Sequence, residues 1–232
     1  MFDILIPLFT SILIVLAVIF VVSKFVQRSS GDWQFFDTET EESEITDEAN
    51  IAGIEGECKA FTYLSKLLKD NEFILKSLLI PTDSGRVTEI DCVLITYRGL
   101  FCIEVKNWSG KIMGGNTDPV WRQIYEKPKR LPRYQKNPVL QNQNHCEFLV
   151  KLLNYKFSIY NVVLFLNQGK LRYIQSRNAF TLKTFEECYN QLSTNKLNKN
   201  EIDEIKCCLQ PFESKRNKLY DSIPQTQTLL VQ

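Results

Sequence analysis

Apolar and polar positions follow three different rules along this chain, and each rule predicts a different kind of element. From Ile4 to Val22 the apolar run is nearly unbroken, with Pro7, Thr10 and Ser11 as mild interruptions. As a helix this run spans roughly 28 Å at about 1.5 Å per residue, close to the hydrocarbon thickness of a bilayer. From 54 to 68 the apolar residues are Ile54, Cys58, Phe61, Leu64, Leu67 and Leu68, the spacing of a helix with one buried stripe. Gly53 and Gly56 open it, which puts Glu57 in a first turn, where an acid stabilises the helix dipole. A second helix is expected from Pro138 to about Leu153, with Asn137 as its cap and Leu140, Phe148, Leu149, Leu152 and Leu153 along it. Two shorter helices are expected at 180–192 and 199–209.

Strand-like runs lie between these helices. They are Phe73–Ile80 (ended by Pro81 and the Asp83-Ser84-Gly85 turn), 111–113, a short piece near Trp121-Arg122-Gln123, 159–166 and 171–174. The most informative pair is Ile90–Thr96 and Leu100–Val105, which flank Tyr97-Arg98-Gly99 and predict a β-hairpin. The order helix, strand, hairpin, helix, strand predicts an α/β sandwich with a mixed sheet.

Charge changes the picture at the hairpin. Asp91, Glu104 and Lys106 sit inside strands that otherwise read as buried on both faces. Desolvating such groups costs several kcal/mol unless a partner or a metal compensates. Alternate strand residues share a face, so Glu104 and Lys106 point the same way, roughly 7 Å apart at about 3.4 Å per residue. With the turn centred on Arg98-Gly99, Asp91 lies opposite Lys106 and Val93 opposite Glu104, and all three charged groups share one face.

Composition sets the outer bounds. From Ala49 onward there are 26 Lys and Arg against 18 Asp and Glu, whereas residues 32–48 hold eight acids and no base. A moderately basic domain behind an acidic tether favours a polyanionic partner. The tether could also fold back onto the domain, although a solvated linker is the simpler reading. Between Arg122 and Lys136 stand six basic residues, Arg122, Lys127, Lys129, Arg130, Arg133 and Lys136, interleaved with Tyr125 and Tyr134. Such a stretch suits a mobile arm that tracks a phosphate backbone.

The seven cysteines show no C-x-x-C spacing and are read as reduced thiols of a cytosolic compartment. With one histidine in the chain, His145, histidine-centred nucleases and H-E-x-x-H proteases are excluded, and the scattered thiols, with no ligand set at the usual spacing, argue against zinc. The Ile4–Val22 run has Asp3 before it and Lys24 and Arg28 after it. That flank favours a retained single-pass anchor over a cleaved signal peptide and puts the C-terminal domain in the cytoplasm. The expected organisation is a transmembrane anchor over 1–28, an acidic linker over 29–49, an α/β domain over 50–210 and a polar tail over 211–232.

Carboxylates at 57, 91 and 104 with an amine at 106 suit Mg²⁺, which keeps waters and takes its remaining ligands from phosphate. At this point the chain resembles the PD-(D/E)xK nuclease superfamily and, more closely, the nuclease-related domain (NERD). The resemblance rests on five stretches in order: G-I-E-G-E (53–57), T-E-I-D-C-V-L-I-T (88–96), G-L-F-C-I-E-V-K-N-W-S-G-K-I-M-G (99–114), W-R-Q (121–123) and N-P-V-L-Q-N-Q (137–143). It implies a restriction-endonuclease-like mixed central sheet flanked by helices. It also implies Asp91, Glu104 and the Val105 carbonyl as ligands of Mg²⁺ (or Mn²⁺), with Lys106 as the catalytic lysine. Glu57 would be the helix-borne acid, and Gln123 and Gln141 would lie near the site. One departure is Cys92, where the family commonly has histidine. The implied activity is hydrolysis of nucleic-acid phosphodiesters, DNA favoured over RNA. Two readings compete with it. One is a non-catalytic nucleic-acid-binding or scaffold module at the membrane; the other is a structural salt bridge between Asp91 and Lys106 in an unrelated α/β protein.

Overall fold

The alternation read at Ile90–Val105 forms the middle of the molecule. The computed structural model describes residues 48–125, 131–166 and 171–214. In chain order these give α1 (Glu48–Ser65), β1 (Phe73–Pro81), β2 (Val87–Thr96), β3 (Gly99–Lys106), β4 (Lys111–Gly115), β5 (Val120–Ile124), β6 (Arg133–Lys136), α2 (Pro138–Leu152), β7 (Ile159–Phe165), β8 (Ile174–Gln175), β9 (Ala179–Thr181), α3 (Leu182–Gln191) and α4 (Lys199–Leu209). The expected anchor and nearly all of the linker lie outside the described residues. Among the described residues no helix is long and apolar enough to cross a membrane.

The main sheet has the order β1-β2-β3-β7-β9, antiparallel from β1 to β3 and parallel from β3 to β9. Its period of two sorts the core into two halves. Val93, Ile95, Leu100 and Cys102 face Cys146 and Leu149 of α2 and Ile202, Ile205 and Leu209 of α4. Cys92, Leu94, Phe101, Ile103 and Val105 face Ala60, Phe61 and Leu64 of α1 and Phe185 and Tyr189 of α3. The result is three layers around a mixed sheet, as the pattern predicts. A second sheet, β6-β5-β4-β8, joins this body through Ile112, Trp121, Val139, Val163 and Phe165, with Trp121 stacked on Phe165 at 6.0 Å between centroids.

Four local expectations need correction. The β2–β3 pairs are Thr96↔Gly99 through Cys92↔Ile103, so Tyr97-Arg98 makes the turn, not Arg98-Gly99. The register moves by two residues, which preserves every side chain's face but extends Asp91 toward Glu104 and not Lys106. Helix α1 begins at Glu48, so Glu57 lies within the helix and has no first-turn dipole role. Gly56 is there because α1 passes close to the sheet: a Cβ at that position would stand 2.8 Å from the Asn107 Cβ and 3.0 Å from Leu166 Cδ1. Residues 133–136 are not part of a loose arm but strand β6, paired with β5 through Val120↔Lys136 to Gln123↔Arg133. Finally, 179–181 adds a parallel strand beside β7, and the following helix starts only at Leu182, capped by Thr181.

Candidate functional site

The site lies where the hairpin's ladder gives out. The β1–β2 ladder passes from Lys76↔Cys92 to Leu78↔Ile90, and β2–β3 stops at Cys92↔Ile103, so neither ladder has a pairing at Asp91. Beyond that point β3 pairs only with β7, through Glu104↔Val163, Val105↔Leu164 and Lys106↔Phe165. The Val105 N–H, left without a backbone partner on the β2 side, donates to Asp91 Oδ2 at 2.7 Å. Strand amides and carbonyls of one residue point to the same side, and Lys106 O already accepts from Leu166 N at 3.2 Å on the β7 side. The Val105 carbonyl therefore points toward Asp91.

Glu104 is the centre of the arrangement, with its side chain 3% exposed. Its Oε1 accepts from Lys106 Nζ and, at 2.8 Å, from Gln141 Nε2 of α2. Its Oε2 is buried without a hydrogen-bond partner, and His145 Nδ1 lies 3.5 Å away. Asparagines set the distance between α2 and the strands beneath it. Asn137 caps α2 through Val139 N at 2.8 Å, while its amide donates to the carbonyls of Gly115, Asn116 and Asp118. Asn142, fully buried, donates to the carbonyls of Cys102 and Val162.

The electrostatics of the site are those of excess negative charge. Burial raises the Asp91 carboxyl well above the ordinary carboxylate range. The charges of Glu104 and Glu57 raise it further, against the Val105 N–H bond and Lys106. Burial pushes the neighbouring Cys92 thiol up as well, and Asp91 and Glu57 add to it. Asp91 and Glu104 thus share one lysine, and Glu57 adds a third negative charge that is felt at Asp91.

Of the sequence-derived residues, the structure brings together Asp91, Glu104, Val105, Lys106 and Gln141. Glu57 belongs to the helix on the opposite face of the sheet, and its charge is felt at Asp91. Gln123 stands apart: it is 4% exposed, donates from Nε2 to the Ser109 carbonyl at 2.7 Å, and holds the turn that follows β3. Arg122, Arg133 and Lys136 are exposed, but the β5–β6 register divides them. Arg122 and Lys136 share a face with Tyr134, while Arg133 shares the other with Gln123. Lys127, Lys129 and Arg130 lie outside the described residues. The sequence reading gave His145 and Thr88 no role, although His145 follows Gln141 by four residues and so lies on the same face of α2.

The donor set can be tested against a hard cation. Among the described residues no three His, Cys, Asp or Glu side chains gather closely enough to hold a metal by themselves. Two carboxylates, an inward carbonyl and an unpartnered Glu104 oxygen fit an ion that keeps several waters, as Mg²⁺ does, and do not fit a four-ligand zinc cage.

The structure thus presents a three-layer α/β body with a carboxylate–carboxylate–lysine cluster at the broken end of its central hairpin. Residues 52–166 match the family model of the nuclease-related domain (NERD). An uncharacterized protein of Bacillus anthracis is 24% identical over 158 residues, covering 66% of this chain and 73% of that one. No solved structure matches the chain.

Proposed function

We propose that this protein is a membrane-anchored, Mg²⁺-dependent nuclease whose cytoplasmic domain hydrolyses nucleic-acid phosphodiesters, DNA in preference to RNA. The observation that carries the reading is the convergence of Asp91, Glu104 and Lys106 on one face, at the point where the ladder opens, inside the stretch that matches the nuclease-related domain. Asp91, Glu104 and the Val105 carbonyl would hold the ion; Mn²⁺ fits the same oxygens. Once bound, it supplies Lewis-acid polarisation of a phosphoryl oxygen and a water of lowered pKa. Lys106, anchored on Glu104, orients the attacking water and offsets the charge that builds on phosphorus. Gln141 fixes the Glu104 oxygen that Lys106 uses, and Glu57 adds negative field from the opposite helix. Arg122 and Lys136 line a surface suited to the phosphate backbone, with Lys127, Lys129, Arg130 and Arg133 in the same stretch of sequence.

The anchor reading rests on the Ile4–Val22 run and on Lys24 and Arg28 behind it. One observation favours a second reading, a binding module without catalysis. The exposed bases stand on a different sheet from the carboxylates, so nucleic-acid binding does not require the acidic site. The two separate in one assay: the 232-residue chain in detergent micelles, incubated with plasmid and with linear single-stranded DNA and RNA, in Mg²⁺, Mn²⁺ or chelator. Metal-dependent cleavage supports the nuclease. Retention of nucleic acid without cleavage in any metal supports the module.

A further inference from the structure

His145 is the sole histidine of the chain, and the chemistry above gives it nothing to do. It is 4% exposed and one turn beyond Gln141 on α2, with a polar side chain near each ring nitrogen. Nε2 lies 3.1 Å from Thr88 Oγ1 of β2, and Nδ1 lies 3.5 Å from Glu104 Oε2. Nδ1 and Oε2 are both buried, and neither has a hydrogen-bond partner nearer than the other. Leaving each unpaired keeps a desolvation cost uncompensated, so the two have a strong reason to satisfy one another.

Which nitrogen carries the proton follows from the partners. A carboxylate oxygen only accepts, whereas a threonine hydroxyl can donate or accept. A ring protonated at Nε2 would set the bare Nδ1 lone pair against Glu104 Oε2, two acceptors facing each other in a medium of low dielectric. A ring protonated at Nδ1 donates to Oε2 and leaves Nε2 to accept the Thr88 hydroxyl.

We infer that His145 is a positioning residue: held by Thr88 as the Nδ1–H tautomer, it grips the second oxygen of Glu104 and fixes the carboxylate that Lys106 and Gln141 hold from the other side. Donors then occupy both oxygens, so the Glu104 carboxylate cannot turn, and Oε2 keeps a further lone pair for a cation. Partners of this kind, one step removed from a ligand, typically change metal affinity 10–100-fold. The consequence for metal rests on the nuclease reading; the contact between His145 and Glu104 does not.

A single histidine makes the test direct. In the 232-residue chain in micelles, with ¹⁵N-labelled histidine at neutral pH, the long-range ¹H–¹⁵N spectrum contains one imidazole and needs no assignment. The expected pattern is a protonated Nδ1 and a bare Nε2, with the bias lost in Thr88→Val. A ring protonated at Nε2 overturns the inference. Mn²⁺ titration calorimetry then separates positioning from packing. Asn carries an amide N–H near the place of Nδ1, and Gln carries one near Nε2. His145→Asn should bind Mn²⁺ within about threefold of wild type, and His145→Gln and His145→Leu about 10–100-fold more weakly. Equal affinity in all three overturns the positioning role. A wild type that binds no Mn²⁺ overturns the metal-dependent reading and the ligand-positioning role together. An Nε2–H ring in a wild type that does bind Mn²⁺ overturns this inference alone.

Discussion

At the scale of single residues, Asp91 is the least comfortable group in the fold. Its carboxyl is raised by burial and by two neighbouring carboxylates, so the folded state holds its proton more tightly than the unfolded chain does. Stability from this group therefore falls as pH rises from the ordinary carboxylate range through the raised folded value. A bound divalent cation favours the ionised form and reverses the penalty. Asp91→Asn keeps an oxygen to accept the Val105 N–H and removes the charge. In chelator at neutral pH the variant should melt above wild type, whereas Mg²⁺ should raise the melting temperature of wild type and leave the variant unmoved. Thermal unfolding with and without Mg²⁺ reads both; a variant that melts lower in chelator would show that Asp91 is chiefly a structural acceptor. A salt bridge to Lys106, the structural alternative raised by the sequence, finds no support in the contacts, since Lys106 pairs with Glu104 and Asp91 with the Val105 amide.

At the scale of elements, the two glycines near the start of α1 behave differently. A Cβ at Gly53 meets nothing within 4 Å, whereas one at Gly56 runs into Asn107 and Leu166. Gly53→Ala should therefore stabilise the protein by about 1 kcal/mol through helix propensity. Gly56→Ala should cost about 1–3 kcal/mol, because the helix must back away from the end of β3. Denaturant titration of the two variants tests this, and equal effects would remove the close approach from the account. These glycines also mark how much was legible in the sequence. Period two at Ile90–Val105 and period 3.6 at α1 and α2 located the hairpin and its flanking layers, because each has one set of faces and one core. Parity placed Asp91, Glu104 and Lys106 together even though the turn was set one residue late, since the resulting two-residue shift in register preserves faces. Pattern could not find β6 or β9, and it set β8 too early, over 171–174, where Leu171–Tyr173 is a 3₁₀ turn. Each is four residues or fewer and is held by pairing with a strand distant in sequence or by a short hairpin, and not by an apolar rhythm of its own. The start of α1 was missed for a similar reason: glycine reads as a breaker, and its use for close packing shows only in three dimensions. His145 was visible in the sequence, but its partner Thr88 is 57 residues away, and no local signal joins them.

At the scale of the whole molecule, the acidic cluster and the exposed bases of β5 and β6 stand on different sheets. The main sheet carries the acidic cluster, and the smaller sheet presents Arg122 and Lys136 beside the exposed Tyr134. Neutralising phosphates releases counterions, so affinity for DNA should fall with salt along a straight log–log line. Arg122→Ala and Lys136→Ala should each reduce the magnitude of that slope by about one, with little effect on sequence preference. Fluorescence anisotropy across a salt series measures it, and unchanged slopes in both variants would move the binding surface elsewhere. Glu104→Gln removes a negative charge from the acidic cluster and should bind DNA at least as well as wild type.

The central claim is that the Asp91–Glu104–Lys106 cluster performs phosphodiester hydrolysis. Its most direct test is the single-turnover cleavage rate of wild type, Glu104→Gln and Lys106→Met in Mg²⁺, with thermal melts run alongside to confirm that each variant is folded. Folded variants should retain DNA binding and lose about 10²- to 10⁴-fold in cleavage rate. Cleavage at the wild-type rate by either folded variant would contradict it.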